Sequence, residues 1–284
     1  MVKILTVANK PKYYYPYLVD TVKKNNGELI TLGTNEEWQG YKWKFEKIVS
    51  YLKTVNNDNE IICVVDGYDV ICIRDLTNLK KDFLEIKKKT KSKLVVSSVV
   101  LPNFIERIRI STVFDTCKNQ DLNTGCYIGY SQDILDIFTK ILQTKTITTD
   151  DQTLLIAYCN LYPDDIYIDT QNDLFISIQS QNNEIEHLLQ NNHSNPYFLH
   201  GPGSTSLDNV LNNYLGYSNV DIKSEFKKDN TNLKKIPYYT KEIILKNYLF
   251  ILLFILFALV IIYFVVKNKN YITRRLFVFG NTKK

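Results

Sequence analysis

The apolar positions change period along the chain, and each change marks an element. Residues 2–8 (VKILTVA) form a short apolar run that stops at Asn9, as a strand buried on both faces does. From Tyr13 to Lys24 the residues Tyr14, Tyr17, Leu18 and Val22 recur at helical spacing, and Asn26-Gly27 supplies the stop. Glu28–Leu32 predicts a second strand, closed by Gly33. Residues 42–55 predict an amphipathic helix with Phe45, Ile48, Val49 and Leu52 on one face. Ile61–Val65 (IICVV) is the strongest strand signal in the chain. This β-α-β-α-β rhythm predicts an α/β fold with an open, mostly parallel sheet and helices on both faces. Such sheets bind ligands at the carboxyl ends of their strands, which directs attention to the residues after Val65.

Further strands are predicted at 94–100 (LVVSSVV), 126–130 (CYIGY) and 166–168, with helices at 132–142, 151–160 and 206–215. From residue 218 the apolar periodicity gives way to Lys, Asn and Ser. The expected organisation is one domain over 1–217 and a polar, basic linker over 218–245. A transmembrane helix is expected over 246–266, with a basic tail over 267–284. The uncharged run Tyr248–Val266 has nineteen residues without Gly or Pro, flanked by Lys241, Lys246, Lys267 and Lys269, with tyrosines near its ends.

With 45% apolar and 13% aromatic residues in 284, the chain has the composition of an ordered protein, which excludes disorder as its main character. The net charge of +5 is unevenly spread: from Lys234 onward there are ten bases and one acid, leaving 25 bases against 29 acids, or −4, in residues 1–233. The body therefore lacks the basic surplus of a nucleic-acid-binding domain, and no nucleic-acid partner is expected. The apolar start (MVKILTVANK) is too short for a signal-peptide core. The expectation is a single-pass, tail-anchored protein with its N-terminal domain on the cytosolic side. Cys63, Cys72, Cys117, Cys126 and Cys159 have no CxxC spacing and read as buried thiols of a reducing compartment.

The candidate chemistry begins at Asp66-Gly67-Tyr68-Asp69. Two carboxylates at a strand end form a hard-oxygen site for Mn²⁺ or Mg²⁺ if Gly67 turns the chain, because residues three apart on a regular strand face opposite ways. An isolated pair of this kind equally suits a strand end decorated by solvated acids. His187 and His193 sit in a polar, Asn-rich stretch and read as solvated or capping groups. His200 differs, because the apolar Tyr197-Phe198-Leu199 leads into His200-Gly201-Pro202-Gly203, a turn that admits close approach to a metal or a phosphate. A structural histidine fits that position as well. Asp150-Asp151-Gln152 precedes a helix, where an N-terminal cap is one reading of the two acids.

These segments occur in an order that resembles the glycosyltransferase domain of the procollagen-lysine hydroxylases, the collagen galactosylhydroxylysine glucosyltransferase family. The matching residues are Thr6-Val7-Ala8, Leu32-Gly33 with Glu36-Glu37-Trp38 and Gly40, and Val65-Asp66-Gly67-Tyr68-Asp69-Val70-Ile71. Leu122-Asn123-Thr124-Gly125, Ile128-Gly129-Tyr130, Asp150-Asp151-Gln152 and Ile168-Asp169 follow. Leu199-His200-Gly201-Pro202-Gly203 and Asn213-Tyr214-Leu215-Gly216 complete the set.

The resemblance implies a GT-A-type, Rossmann-like fold, a UDP-sugar donor such as UDP-glucose or UDP-galactose, and a metal held by Asp66, Asp69 and His200. It implies nucleotide contacts from Tyr68, Lys44, Thr6 and Val7, with Lys42 a competitor for the place of Lys44. Gly201 and Gly203 belong to the same cofactor-binding set. It also implies donor-sugar or acceptor roles for Asp151, Asp150 and Asn123, with Asp169 nearby. The implied activity is retaining transfer of a hexose to a hydroxyl acceptor, hydroxylysine or galactosylhydroxylysine of a collagen-like protein. A transferase acting on another glycan, protein or lipid, and an inactive membrane-tethered scaffold of the same fold, are the alternatives. The chain departs from the family at three places: Tyr41-Lys42-Trp43 replaces its glycine run, Ser206 stands where it has a lysine, and Val100-Leu101-Pro102 lacks its aromatic residue.

Overall fold

The computed structural model describes residues 2–101, 104, 114–144, 150–179, 195–203, 205–229 and 252–265, with isolated positions 240, 244, 248 and 267. The chain divides into two units, Met1–Leu233 and Lys234–Lys284. The first contains a nine-stranded sheet. Its strands are β1 (Lys3–Val7), β2 (Leu29–Leu32), β3 (Ile61–Val65), β4 (Val70–Cys72), β5 (Leu94–Val100), β6 (Leu122–Tyr130), β7 (Ile166–Asp169), β8 (Phe175–Ile178) and β9 (Phe198–His200). They lie in the order β2-β1-β3-β6-β5-β8-β9-β4, with β7 against the first half of β5.

The sheet is mixed: five of its eight pairings are parallel, β8 with β9 among them, and three are antiparallel. β1 pairs in parallel with β2 and β3, and β5 with β7 and β8, but β6 runs antiparallel to both β3 and β5, and β4 antiparallel to β9. Eight of the nine residues of β6 are buried, so its sequence lacks the apolar–polar alternation of a half-exposed antiparallel strand.

Helices cover both faces, as the rhythm of the sequence predicts. α1 (Tyr15–Lys24), α2 (Tyr41–Leu52), α3 (Leu79–Thr90), α4 (Ser131–Gln143), α5 (Asp151–Leu161), α6 (Asp208–Asn213) and α7 (Ile222–Asp229) follow in chain order. The period of two along β3 sends Ile62 and Val64 to one face, where they meet Phe45 and Ile48 of α2 and Phe138 of α4. Ile61, Cys63 and Val65 go to the other face, with Leu18 and Val22 of α1 and Phe83 of α3. A third cluster packs Ile71, Ile176 and Leu199 against Leu207, Val210, Val220 and Ile222. The last two lie in the segment expected as linker, so the folded domain continues past residue 217 and through α7.

In the second unit, residues 252–265 are helical and their large apolar side chains are mostly exposed. Among the described residues no helix is long and apolar enough to cross a membrane. The rest of the expected 246–266 span is described only at Tyr248, and the 267–284 tail only at Lys267.

Candidate metal and donor site

The site forms where β3 ends. Asp66 N–H donates to Gly125 O at 2.8 Å, extending the β3–β6 ladder by one residue. At Gly67 a Cβ would stand 3.0 Å from both Thr6 Oγ1 and Ala8 Cβ, so a glycine lets the turn lie against the end of β1. Tyr68 reaches back over that end: its hydroxyl accepts from Asn9 N at 3.0 Å and donates to Asn9 Oδ1 at 2.7 Å, while its ring meets Tyr13 edge-on. The chain then enters β4, whose antiparallel register with β9 sets Val70 opposite His200. Gly201 N–H donates to Asp69 O at 2.8 Å.

The two carboxylates and the imidazole thereby converge. His200 Nε2 lies 3.4 Å from Asp69 Oδ1 and 4.0 Å from Asp66 Oδ2, and one ligand atom from each residue falls within 4.8 Å of the others. His200 is 2% exposed, and Nε2 has no hydrogen-bond partner although it is shut off from water. A buried nitrogen lacking a partner, facing two carboxylates, fits a divalent cation of the Mn²⁺ or Mg²⁺ kind.

Lys44 occupies the other side of Asp66. Its ammonium, 4% exposed, donates to Asp66 Oδ1 at 2.5 Å, Asp151 Oδ2 at 2.9 Å and Thr124 O at 3.2 Å. Burial disfavours its charge, but Asp151 and Asp66 outweigh that and hold its pKa well above the ordinary lysine value. Burial also pushes Asp66 up to about 6 despite Lys44, with Asp69 adding to the rise. Burial pulls His200 down, yet Asp69 and Asp66 outweigh it and the imidazole titrates above its usual range. Lys44 is thus the lysine that reaches the site; it contacts carboxylates, whereas Lys42, two residues earlier on α2, is half-buried on another side of the helix.

The remaining expected residues fall in several places. Thr6 Oγ1 is buried without a partner, and Val7 O lies 3.2 Å from where a Gly67 Cβ would stand; both belong to the β1 end facing the turn. Asp151 faces Lys44. Asp150 caps α5, its Oδ1 accepting from Thr153 N at 2.7 Å. Asn123 Oδ1 accepts from Gly125 N at 2.9 Å, and its Nδ2 donates to Gln152 Oε1 at 3.3 Å. Asp169 is fully buried and accepts from the amides of Asp173, Leu174 and Phe175 at 2.9 to 3.0 Å, which binds β7 to β8. At Gly201 a Cβ would meet Leu207 at 2.9 Å, whereas Gly203 has φ +77° and open space around it. Ser206 Oγ accepts from Asp208 N at 3.3 Å. His187, His193 and Pro102 lie outside the described residues.

Sequence reasoning missed Ser177, whose Oγ lies 2.7 Å from His200 Nδ1, and the Thr124 carbonyl on Lys44. A serine inside the apolar strand FISI carries no signal, and only the register Ser177↔His200 reveals it. The five expected free thiols are three: Cys63, Cys72 and Cys126 are free and buried, while Cys117 and Cys159 form a disulfide with Cα atoms 6.0 Å apart. Their sequence separation of 42 follows no motif that spacing could have flagged.

The α/β sheet thus gathers two carboxylates, an imidazole and a buried lysine at its strand ends, three of them a set that could hold a metal ion. The profile of the family described as "PLOD GT domain" matches residues 1–225. The chain belongs to this family of glycosyltransferase domains. It is 25% identical to the Drosophila melanogaster procollagen-lysine,2-oxoglutarate 5-dioxygenase over a 244-residue alignment covering 75% of this chain and 32% of that protein. The chain thus spans about a third of the length of that relative.

Among solved structures it is similar to a glycosyltransferase involved in glycosylation of the major capsid of PBCV-1. That likeness has 12% identity, a TM-score of 0.43, and covers 72% of this chain and 96% of that one. It is also similar to mouse xyloside xylosyltransferase 1 in its apo form, with 9% identity, a TM-score of 0.43, and 72% and 99% covered.

Proposed function

We propose that this GT-A-type domain is a metal-dependent hexosyltransferase that moves glucose or galactose from a UDP-sugar to a hydroxyl acceptor with retention at the anomeric carbon. The observation that carries this reading is the convergence of Asp66, Asp69 and His200 around a buried imidazole nitrogen that has no hydrogen-bond partner. An Mn²⁺ or Mg²⁺ ion held by these three residues supplies charge neutralisation for a diphosphate leaving group.

The chain's own residues do the rest. Lys44 pairs with both Asp66 and Asp151 and fixes the distance between the ligand carboxylate and the one that opens α5. Asp151 then orients the acceptor hydroxyl or stabilises positive charge developing on the sugar ring, with Asp150 setting the start of its helix. Thr6, Val7 and Tyr68 border the nucleotide, and the Gly201–Gly203 turn borders the diphosphate.

For the acceptor we propose hydroxylysine or galactosylhydroxylysine of a collagen-like protein, in keeping with the name of the Drosophila relative. We further propose that residues 246–266 tether the domain to a membrane as a C-terminal anchor, on the strength of the uncharged run Tyr248–Val266. For the side of the membrane, the Cys117–Cys159 bond favours an oxidising compartment over the cytosolic side that five free thiols suggest.

The test is UDP release by the full chain in detergent from UDP-glucose, UDP-galactose and UDP-xylose, with Mn²⁺ or with EDTA, and with or without a hydroxylysine peptide. Release that needs Mn²⁺ and vanishes in Asp66→Ala and Asp69→Ala supports the reading. Release indifferent to EDTA and to Asp69→Ala overturns it. The second reading, an inactive tethered scaffold of the same fold, is favoured by Ser206, which stands where the family has a lysine. It expects donor binding with no turnover in any arm. Turnover on a glycan or lipid acceptor but not on the peptide identifies a related transferase of other specificity.

A further inference from the structure

The catalytic reading leaves unexplained a hydrogen-bond network behind His200, on the side away from Asp66 and Asp69. Ser177 on β8 sits opposite His200 on β9 and is fully buried. Its Oγ lies 2.7 Å from His200 Nδ1 and donates to Asn123 Oδ1 at 3.2 Å. His200 Nδ1 is itself 2.9 Å from Asn123 Oδ1.

The orientation of the Asn123 amide is fixed independently of the histidine. Its Oδ1 accepts from the Gly125 backbone N–H at 2.9 Å, a group that can only donate, and its Nδ2 donates to Gln152 at 3.3 Å. An acceptor oxygen 2.9 Å from Nδ1 requires the ring proton to be on Nδ1. The serine, having given its proton to Asn123, turns a lone pair to the same nitrogen. The neutral ring is therefore the Nδ1–H tautomer, with its lone pair on Nε2, the atom that faces Asp69 at 3.4 Å.

We propose that Ser177 and Asn123 are positioning residues that lock His200 in the Nδ1–H tautomer and aim the Nε2 lone pair between Asp66 and Asp69, ready for a divalent cation. The inference rests on the metal reading above for its purpose, though not for its geometry. It also moves Asn123 from the sugar pocket to the support of a ligand, since both ends of its amide are engaged inside the protein. Outer partners of this kind fix ring orientation and ligand basicity at metal sites.

The test uses the full chain with ¹⁵N-labelled histidine, free of metal, and long-range ¹H–¹⁵N correlations that distinguish the tautomers. Only three histidines exist, and the His200 signals are assigned by their loss in His200→Gln. Mn²⁺ affinity is measured on the same samples by calorimetry with Mn²⁺ alone. Recorded above the raised pKa of the imidazole, where the ring is neutral, the wild type is expected to show Nδ1–H at His200. Ser177→Ala and Asn123→Ala are expected to give mixed tautomers and Mn²⁺ affinity lowered about ten- to hundredfold, with Ser177→Thr, which keeps the hydroxyl, restoring both. Ser177→Ala removes one hydroxyl only and serves if Asn123→Ala does not fold.

An Nε2–H tautomer in the wild type overturns the proposal. So do variants with unchanged tautomer and unchanged affinity, and either result leaves the metal reading in place. A wild type that shows the Nδ1–H form, loses it in the variants and binds no Mn²⁺ supports the positioning and overturns the metal reading instead.

Discussion

A methyl group placed on Gly125 would lie 2.1 Å from His200 Cε1 and 2.3 Å from Nδ1, so the imidazole packs directly on the bare backbone of β6. Gly125→Ala must push the ring aside. We expect Mn²⁺ affinity to fall at least tenfold while overpacking costs about 1–3 kcal/mol in thermal or urea unfolding. Wild-type affinity in that variant would mean that the ring is not seated there.

The residues legible in the sequence were those whose surroundings announce them. Asp66 and Asp69 follow the strongest apolar strand, and His200 ends an abrupt apolar approach. Lys44 was separable from Lys42 only once α2 turned one of them inward. Ser177, Thr124 and Gln152 act through register and backbone atoms, and a strand period places a side chain on a face without naming its neighbour across the ladder.

At the scale of elements, strand and helix positions were legible to within a few residues wherever apolar periodicity was strong. The direction of β6 was not, because burial on both faces erases the alternation that marks an antiparallel strand. Nor was α3: Leu79, Phe83 and Ile86 form its buried stripe, but lysines dominate the rest of its sequence.

Asp169 shows what ties two edge elements together. It lies where the edge of β5 passes from β7 to β8, and its carboxylate takes three backbone N–H groups. Asp169→Ala leaves three donors without their acceptor, two of them in the interior, and chemical denaturation should register a loss of about 3 kcal/mol or more. A loss under about 1 kcal/mol would show that water replaces the carboxylate. The disulfide joins the turn at Cys117 to α5, the helix that begins with Asp151. Denatured, unreduced protein should therefore expose three thiols to maleimide, and five only after reduction; five without reductant would place all the cysteines in the free state.

For the molecule as a whole, the body ends later than composition suggests. Polar residues after 217 conceal Val220 and Ile222, which pack on α6, and Asp208 accepts from the backbone N–H groups of Ile222 and Lys223 at 3.1 Å. A chain of residues 1–233 should be folded and more stable than 1–217 by about 3–6 kcal/mol, the worth of two buried aliphatic side chains. Equal stability would make α7 dispensable. The same 1–233 chain should stay in the supernatant when membranes are pelleted, whereas the full chain should sediment with them; co-sedimentation of both would locate the tether elsewhere.

The antiparallel pairing of β4 with β9 has an outcome for biosynthesis. The carboxylates leave the ribosome early, but the imidazole arrives on the final strand of the sheet, which must slot between β8 and β4. A nascent or prematurely terminated polypeptide owns two of the three candidate ligands, so the full ligand set exists only once threading of β9 is complete.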